Sequence, residues 1–128
     1  MPIETPEETQ ALWGQYFDGG DLDSLVDLYE SNGALIPQPG AAALVGHDAI
    51  RSGLEQFMSI KRTFSLSPRA CVRSDDVAIL YAEWKLAGEG PEGTPIHLGG
   101  LTTDVVRRQS DGGWLIAIDN PWGTAVAM

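Results

Sequence analysis

From Ile96 to Trp122 the sequence reads as a β-hairpin, and the rest of the chain makes sense as material packed against it. Leu101-Thr-Thr-Asp-Val-Val-Arg107 is rich in β-branched residues, Ser110-Asp-Gly-Gly113 carries turn signals, and Trp114-Leu-Ile-Ala-Ile118 is strand-like again. Side chains alternate across a strand, so Trp114, Ile116, Ile118, Asn120 and Trp122 are expected on one face. Leu115, Ala117 and Asp119 are expected on the other. Both faces are largely apolar, so both need cover. Helices of the same chain are expected over one, and a second copy of the protein over the other.

The material before the hairpin supplies those helices. Thr5-Pro6-Glu7-Glu8 reads as a helix start, with Thr5 as N-cap, Pro6 at the first position and Glu8 completing a capping box. That helix runs to about Asp18 with Leu12, Trp13, Tyr16 and Phe17 on one stripe, and Gly19-Gly20 stops it. Asp21 caps a second helix with Leu22, Leu25, Val26, Leu28 and Tyr29 as its apolar stripe, expected to end at Asn32-Gly33. Ala34 to Ile36 is a short strand, Pro37-Gln-Pro-Gly40 a loop, and Leu44-Val45 another brief strand. A third helix starts at Gly46-His47-Asp48, turns Ile50, Leu54, Phe57 and Met58 inward, and ends near the cations Lys61 and Arg62, which suit its negative end.

Strand signals then return from Thr63 to Arg73, interrupted at Pro68, and after a turn at Ser74-Asp75-Asp76 from Val77 to Ala87. Ala78, Leu80, Ala82, Trp84 and Leu86 make one uniformly apolar face of that last strand. Helices first and antiparallel strands afterwards predict an α+β domain spanning residues 1–128, a curved antiparallel sheet wrapped around N-terminal helices with a cavity inside.

A formal charge of -10, with only Lys61-Arg62 and Arg107-Arg108 as adjacent basic pairs, argues against nucleic acid or an anionic membrane as partner. No segment approaches the roughly 20 apolar residues that span a bilayer, and the acidic start lacks the apolar core of a signal peptide. The single cysteine, Cys71, suits a reducing compartment, so a cytoplasmic protein is expected. His47 and His97 lack metal-ligand spacing, and no dinucleotide, phosphate-loop or nucleophile-elbow motif occurs. Neither metal nor cofactor is expected.

The order of elements, with Gly20-Asp21, Tyr29, Gly46-His-Asp-Ala-Ile50 and Asp111-Gly-Gly-Trp114, resembles the SnoaL-like and ketosteroid-isomerase-like branch of the nuclear-transport-factor-2-like superfamily. The resemblance runs from about Thr5 to Trp122. It implies a cystatin-like α+β roll, a cone-shaped fold with an internal pocket against the concave face of the sheet, and homodimers joined through the sheets. Its motifs are specific for the fold and weak for activity, because the superfamily holds isomerases, cyclases, dehydratases, hydrolases and non-catalytic domains. Matched position by position, the isomerases' general base falls on Pro37, which cannot abstract a proton. Their oxyanion-hole tyrosine falls on Trp13, or one turn later on Tyr16, and their protonated aspartate falls near Asp104. The isomerase activity itself therefore does not carry over.

Asp104 is the candidate catalytic group, since it stands mid-strand on the face of Thr102 and Val106, an expensive place for a lone carboxylate. In a cavity it would be held protonated as a donor; on the surface it would pair across the hairpin with Arg108 or another cation. Trp13, Tyr16, Pro37, Trp84, Asn120 and Trp122 are the candidate pocket residues, with core filling as the other reading for the aromatics and turn formation for Asn120. Asp119 is expected on the outer surface or against a partner subunit. The expected ligand is a small apolar molecule, handled by acid-base chemistry or simply bound.

Overall fold

The computed structural model describes residues 2–125. Three helices, α1 (Pro6–Asp18), α2 (Leu22–Val26) and α3 (His47–Met58), lie against one sheet. The strands are β1 (Tyr29–Leu35), β2 (Leu44–Val45), β3 (Lys61–Ser74), β4 (Val77–Glu89), β5 (Pro95–Arg108) and β6 (Trp114–Asp119). They are ordered β2-β1-β6-β5-β4-β3, antiparallel except for the parallel pair of β1 with β6. The sheet is curved and open at its edges, the mixed α+β arrangement expected from the order of elements.

The apolar face read from β4 is the floor of the core: Ala78, Leu80, Ala82, Trp84 and Leu86 are all buried. Phe17, Leu25, Ile50 and Leu54 descend on it from the three helices. Fully burying a side chain of this size contributes about 1.5–3 kcal/mol, so this layer is what holds the helices on the sheet. Pro68 interrupts β3 as expected, the register against β4 slipping between Pro68 and Ala70. Arg62 ties the ends of two helices together. Its guanidinium donates to Met58 O and Ile60 O beside the C-terminus of α3, and to Phe17 O of α1 at 2.6 Å, while stacking on the Phe17 ring. The side chain of Lys61, the other cation expected there, lies outside what is described.

Two helix expectations need correction. The capping box does not form: the Thr5 hydroxyl donates to the Glu8 carboxylate at 3.2 Å, leaving only a backbone bond from Glu8 N to Thr5 O. The second helix stops at Val26, one turn earlier than its apolar stripe suggests. Tyr29 instead opens β1, pairing with Ile116 of β6, because a parallel ladder satisfies the backbone there and helix propensity is too weak to resist it.

The larger correction concerns β6. Val106 pairs with Ile116, yet Val105 pairs with Ile118, so Ala117 is an extra residue, a β-bulge. Beyond it the faces exchange. Ile118, expected inward, is 43% exposed, while Ala117 and Asp119, expected outward, are each 5% exposed.

Candidate functional site

The bulge sets Asp119 on the concave face beside Asp104. Asp104, on β5, is 8% exposed and faces inward as its strand register requires, so the surface pairing with Arg108 does not occur; Arg108 pairs with Asp76. Asp104 Oδ1 accepts from the Thr102 hydroxyl at 2.5 Å and from Asn120 N at 3.1 Å. The single hydroxyl hydrogen of Thr102 serves either Asp104 or Asn120 O, 3.1 Å away. Given to Asn120, it leaves Oγ1 free to accept a hydrogen bond from a neutral Asp104.

Asp119 is held from the other side. Tyr29, fully buried at the start of β1, donates its hydroxyl to Asp119 Oδ2 at 2.5 Å, and itself accepts from Trp13 Nε1 of α1 at 2.9 Å. Burial, and then the neighbouring Asp104 charge, push the Asp119 carboxyl well above the ordinary range. Burial raises Asp104 as well, opposed by its contact with Asp119, by its bonds from Thr102 and Asn120 N, and by the nearby Gln10 amide. Burial and the Asp119 charge likewise push the Tyr29 phenol well up. Two neighbouring carboxyls in a low dielectric cannot both ionise cheaply, so the second proton leaves less readily than the first and the pair titrates as a unit.

The pair borders an apolar cavity of about 70 Å³ between the helices and the sheet that is partly open to solvent. Trp13, Trp84 and Trp122 line it with Phe17, Phe57 and Phe64. Trp84 and Trp122 meet edge to face at 5.3 Å, and their indole nitrogens are anchored to Pro121 O and Ile36 O at 2.6 and 2.9 Å. The other candidates stand elsewhere. Tyr16 borders a separate hollow near Leu12 and Trp114, because with Leu12 it takes one flank of α1 while Gln10, Trp13 and Phe17 take the other. Pro37, in the loop after β1, and Asn120 are not among the lining residues. The Asn120 side chain closes a turn, donating to Gly123 O at 2.8 Å and accepting from Trp122 N, while its backbone serves Asp104.

Four polar groups of the site were not foreseen: Asp119, Tyr29, Thr9 and Gln10. Thr9 and Gln10 line the cavity from α1. Gln10 lies three residues before Trp13 and seven before Phe17, which is stripe spacing, so the signal was present.

The family model of the SnoaL-like domain matches residues 11–116. The chain belongs to the SnoaL-like domain family. A search of the curated proteins found no match. Among solved structures, this SnoaL-like chain is similar to a ketosteroid isomerase-like protein from Erwinia carotovora atroseptica, at 20% identity over 88% of each chain and a TM-score of 0.78. It is also similar to an NTF2-like protein with a cystatin-like fold from Novosphingobium aromaticivorans, at 21% identity, 88% of this chain, 75% of that one and a TM-score of 0.69. A third similar structure, from Catenulispora acidiphila in complex with S-DNPA, has 21% identity, 88% and 86% coverage and a TM-score of 0.71. At these identities the likeness bears on the fold.

Proposed function

We propose that this SnoaL-like protein binds a small, mostly apolar molecule in the cavity, and that Asp104 and Asp119 act on it as an acid-base pair. The observation that carries this reading is two buried carboxyls meeting at one wall of an otherwise apolar, aromatic-lined space. A carboxyl held neutral donates a proton or a hydrogen bond, its ionised partner accepts one, and both roles suit isomerisation or dehydration. The similar Catenulispora acidiphila structure is in complex with S-DNPA, which supports a ligand role for the fold. Binding without chemistry is the second reading, favoured by the bonds that Thr102, Asn120 N and Tyr29 already give the pair.

Proton exchange separates them. With 2-tetralone, a neutral enolisable ketone, in heavy water, the protein is expected to accelerate loss of the α-proton NMR signal. Asp119→Asn should slow that exchange by about 100-fold, the usual contribution of a positioned acid or base. Calorimetric binding of the ketone without accelerated exchange would favour the non-catalytic reading, and neither effect would remove both.

We propose further that the convex face of the sheet joins two copies. Val72, Ile79, Val105 and Ile118 pair in register as one apolar row across four strands, with Leu101, 57% exposed, nearby. Ala117, expected in that surface, drops out through the bulge and Ile118 replaces it. A stable interface should bury upward of about 1,000 Å² in total. Light scattering at micromolar concentration is expected to give the dimer mass; a monomer mass would sink the proposal.

A further inference from the structure

We infer that the cavity takes a neutral molecule bearing a hydrogen-bond-accepting oxygen, such as a ketone, and that the Gln10 side-chain amide is the group that selects it. The inference rests on the reading of the cavity as a ligand site and adds what kind of ligand that is.

Gln10 borders the cavity from α1 and is 6% exposed, yet its amide nitrogen is buried without a hydrogen-bond partner. It stands beside Asp104, near enough to favour that group's charged form, but completes no hydrogen bond to it. A buried amide donor left unpaired is costly, and an acceptor entering the cavity removes that cost. The other donors in the wall are already engaged. Thr9 gives its hydroxyl to Pro6 O at 2.7 Å, Thr102 gives its own to Asp104 or Asn120 O, and the indoles of Trp13, Trp84 and Trp122 each hold an oxygen. Among the described lining residues, and apart from a neutral carboxyl of the Asp104 and Asp119 pair, Gln10 is thus the side-chain donor with nothing to donate to.

Charge narrows the class further. No Lys, Arg or His lines the cavity, two carboxyls do, and the chain as a whole carries -10, so a carboxylate or phosphate ligand would enter against repulsion with no cation to meet it. A protonated amine would meet the carboxyls but would present only donors to Gln10, leaving its N–H unpaired. A neutral oxygen acceptor on a flat apolar body satisfies both the amide and the aromatic walls.

Four ligands of one shape test this by titration calorimetry: 2-tetralone, the hydrocarbon tetralin, 2-aminotetralin and tetralin-2-carboxylate. The ketone is expected to bind tightest. Gln10→Met, which keeps the length and loses the donor, should weaken 2-tetralone about five- to tenfold, the worth of one hydrogen bond, and leave tetralin unchanged. Tighter binding of the amine or the carboxylate would overturn the inference while leaving the ligand site standing, and so would an unaltered ketone affinity in Gln10→Met. Failure of all four to bind the wild-type protein would overturn the ligand site and the inference with it. Should Gln10→Met not fold, the wild-type protein still decides: the Gln10 side-chain amide proton is expected to move downfield in ¹⁵N-resolved NMR spectra when 2-tetralone is added, and an unmoved signal would overturn the inference.

Discussion

Trp114→Ala is expected to cost about 3–5 kcal/mol of folding stability, the range for emptying a buried indole site. Trp114 is 1% exposed at the start of β6, its backbone N–H donates to Ile3 O at 2.9 Å, and the guanidinium of Arg73 stacks over its ring at 4.9 Å. Truncation therefore removes burial and stacking together, at the point where the N-terminal segment meets the hairpin. Since a domain has about 5–15 kcal/mol in total, the variant should stand near the edge of folding. Ile118→Ala is the matched contrast. Strict alternation puts Ile118 and Trp114 on one inward face, but the bulge at Ala117 turns Ile118 outward. Its truncation should cost less than about 1 kcal/mol in the monomer, with any larger loss confined to the part of stability that rises with protein concentration through dimerisation. Urea unfolding at two concentrations reads both terms. Equal, concentration-independent losses would show that β6 is not bulged as described.

The same bulge explains what was legible in the sequence. The hairpin, the apolar face of β4, α1, α3 and the inward register of Asp104 follow from periodicities that run unbroken along each element. Asp119 does not, because a bulge inverts every position beyond it and Ala117 carries no residue signal for one: it is neither Gly nor Pro. Tyr29 was read as the end of a helix for a related reason. Its place in β1 is decided by parallel pairing with Ile116, some ninety residues away in the chain, which no local pattern reports. Gln10 differs: its stripe position is visible in the sequence, but a polar member of an apolar stripe carries no signal of burial by itself. Tyr16 and Pro37 were drawn toward the pocket by a resemblance between families, which transfers a fold more faithfully than the identity of a lining residue.

If Asp104 and Asp119 share a proton in the folded protein, stability must fall as pH rises above 4, and Asp119→Asn must flatten that fall. In the unfolded chain both groups titrate near the ordinary aspartate value of about 3.9, whereas burial raises both in the fold. Below the unfolded value all forms are protonated and the contribution is fully present. Above it only the folded state keeps the proton, so stability declines by about 1.4 kcal/mol per pH unit for each proton retained, until pH passes the folded pKa. Asp21 and Glu83, both lowered by hydrogen bonds to exposed partners, act in the opposite sense, but their window lies below their unfolded values and leaves the range above pH 4.5 clear. Repulsion among the other acidic groups also grows with pH, and cancels when the wild type is compared with Asp119→Asn. The amide still donates a hydrogen bond to Asp104 but has no proton to lose, and it frees Asp104 from a charged neighbour. Urea unfolding of both proteins from pH 4.5 to 8 should therefore show the wild-type advantage shrinking steadily as pH rises. Parallel curves would mean that the two carboxyls are ionised together in the fold, and the acid-base pair would lose its physical basis.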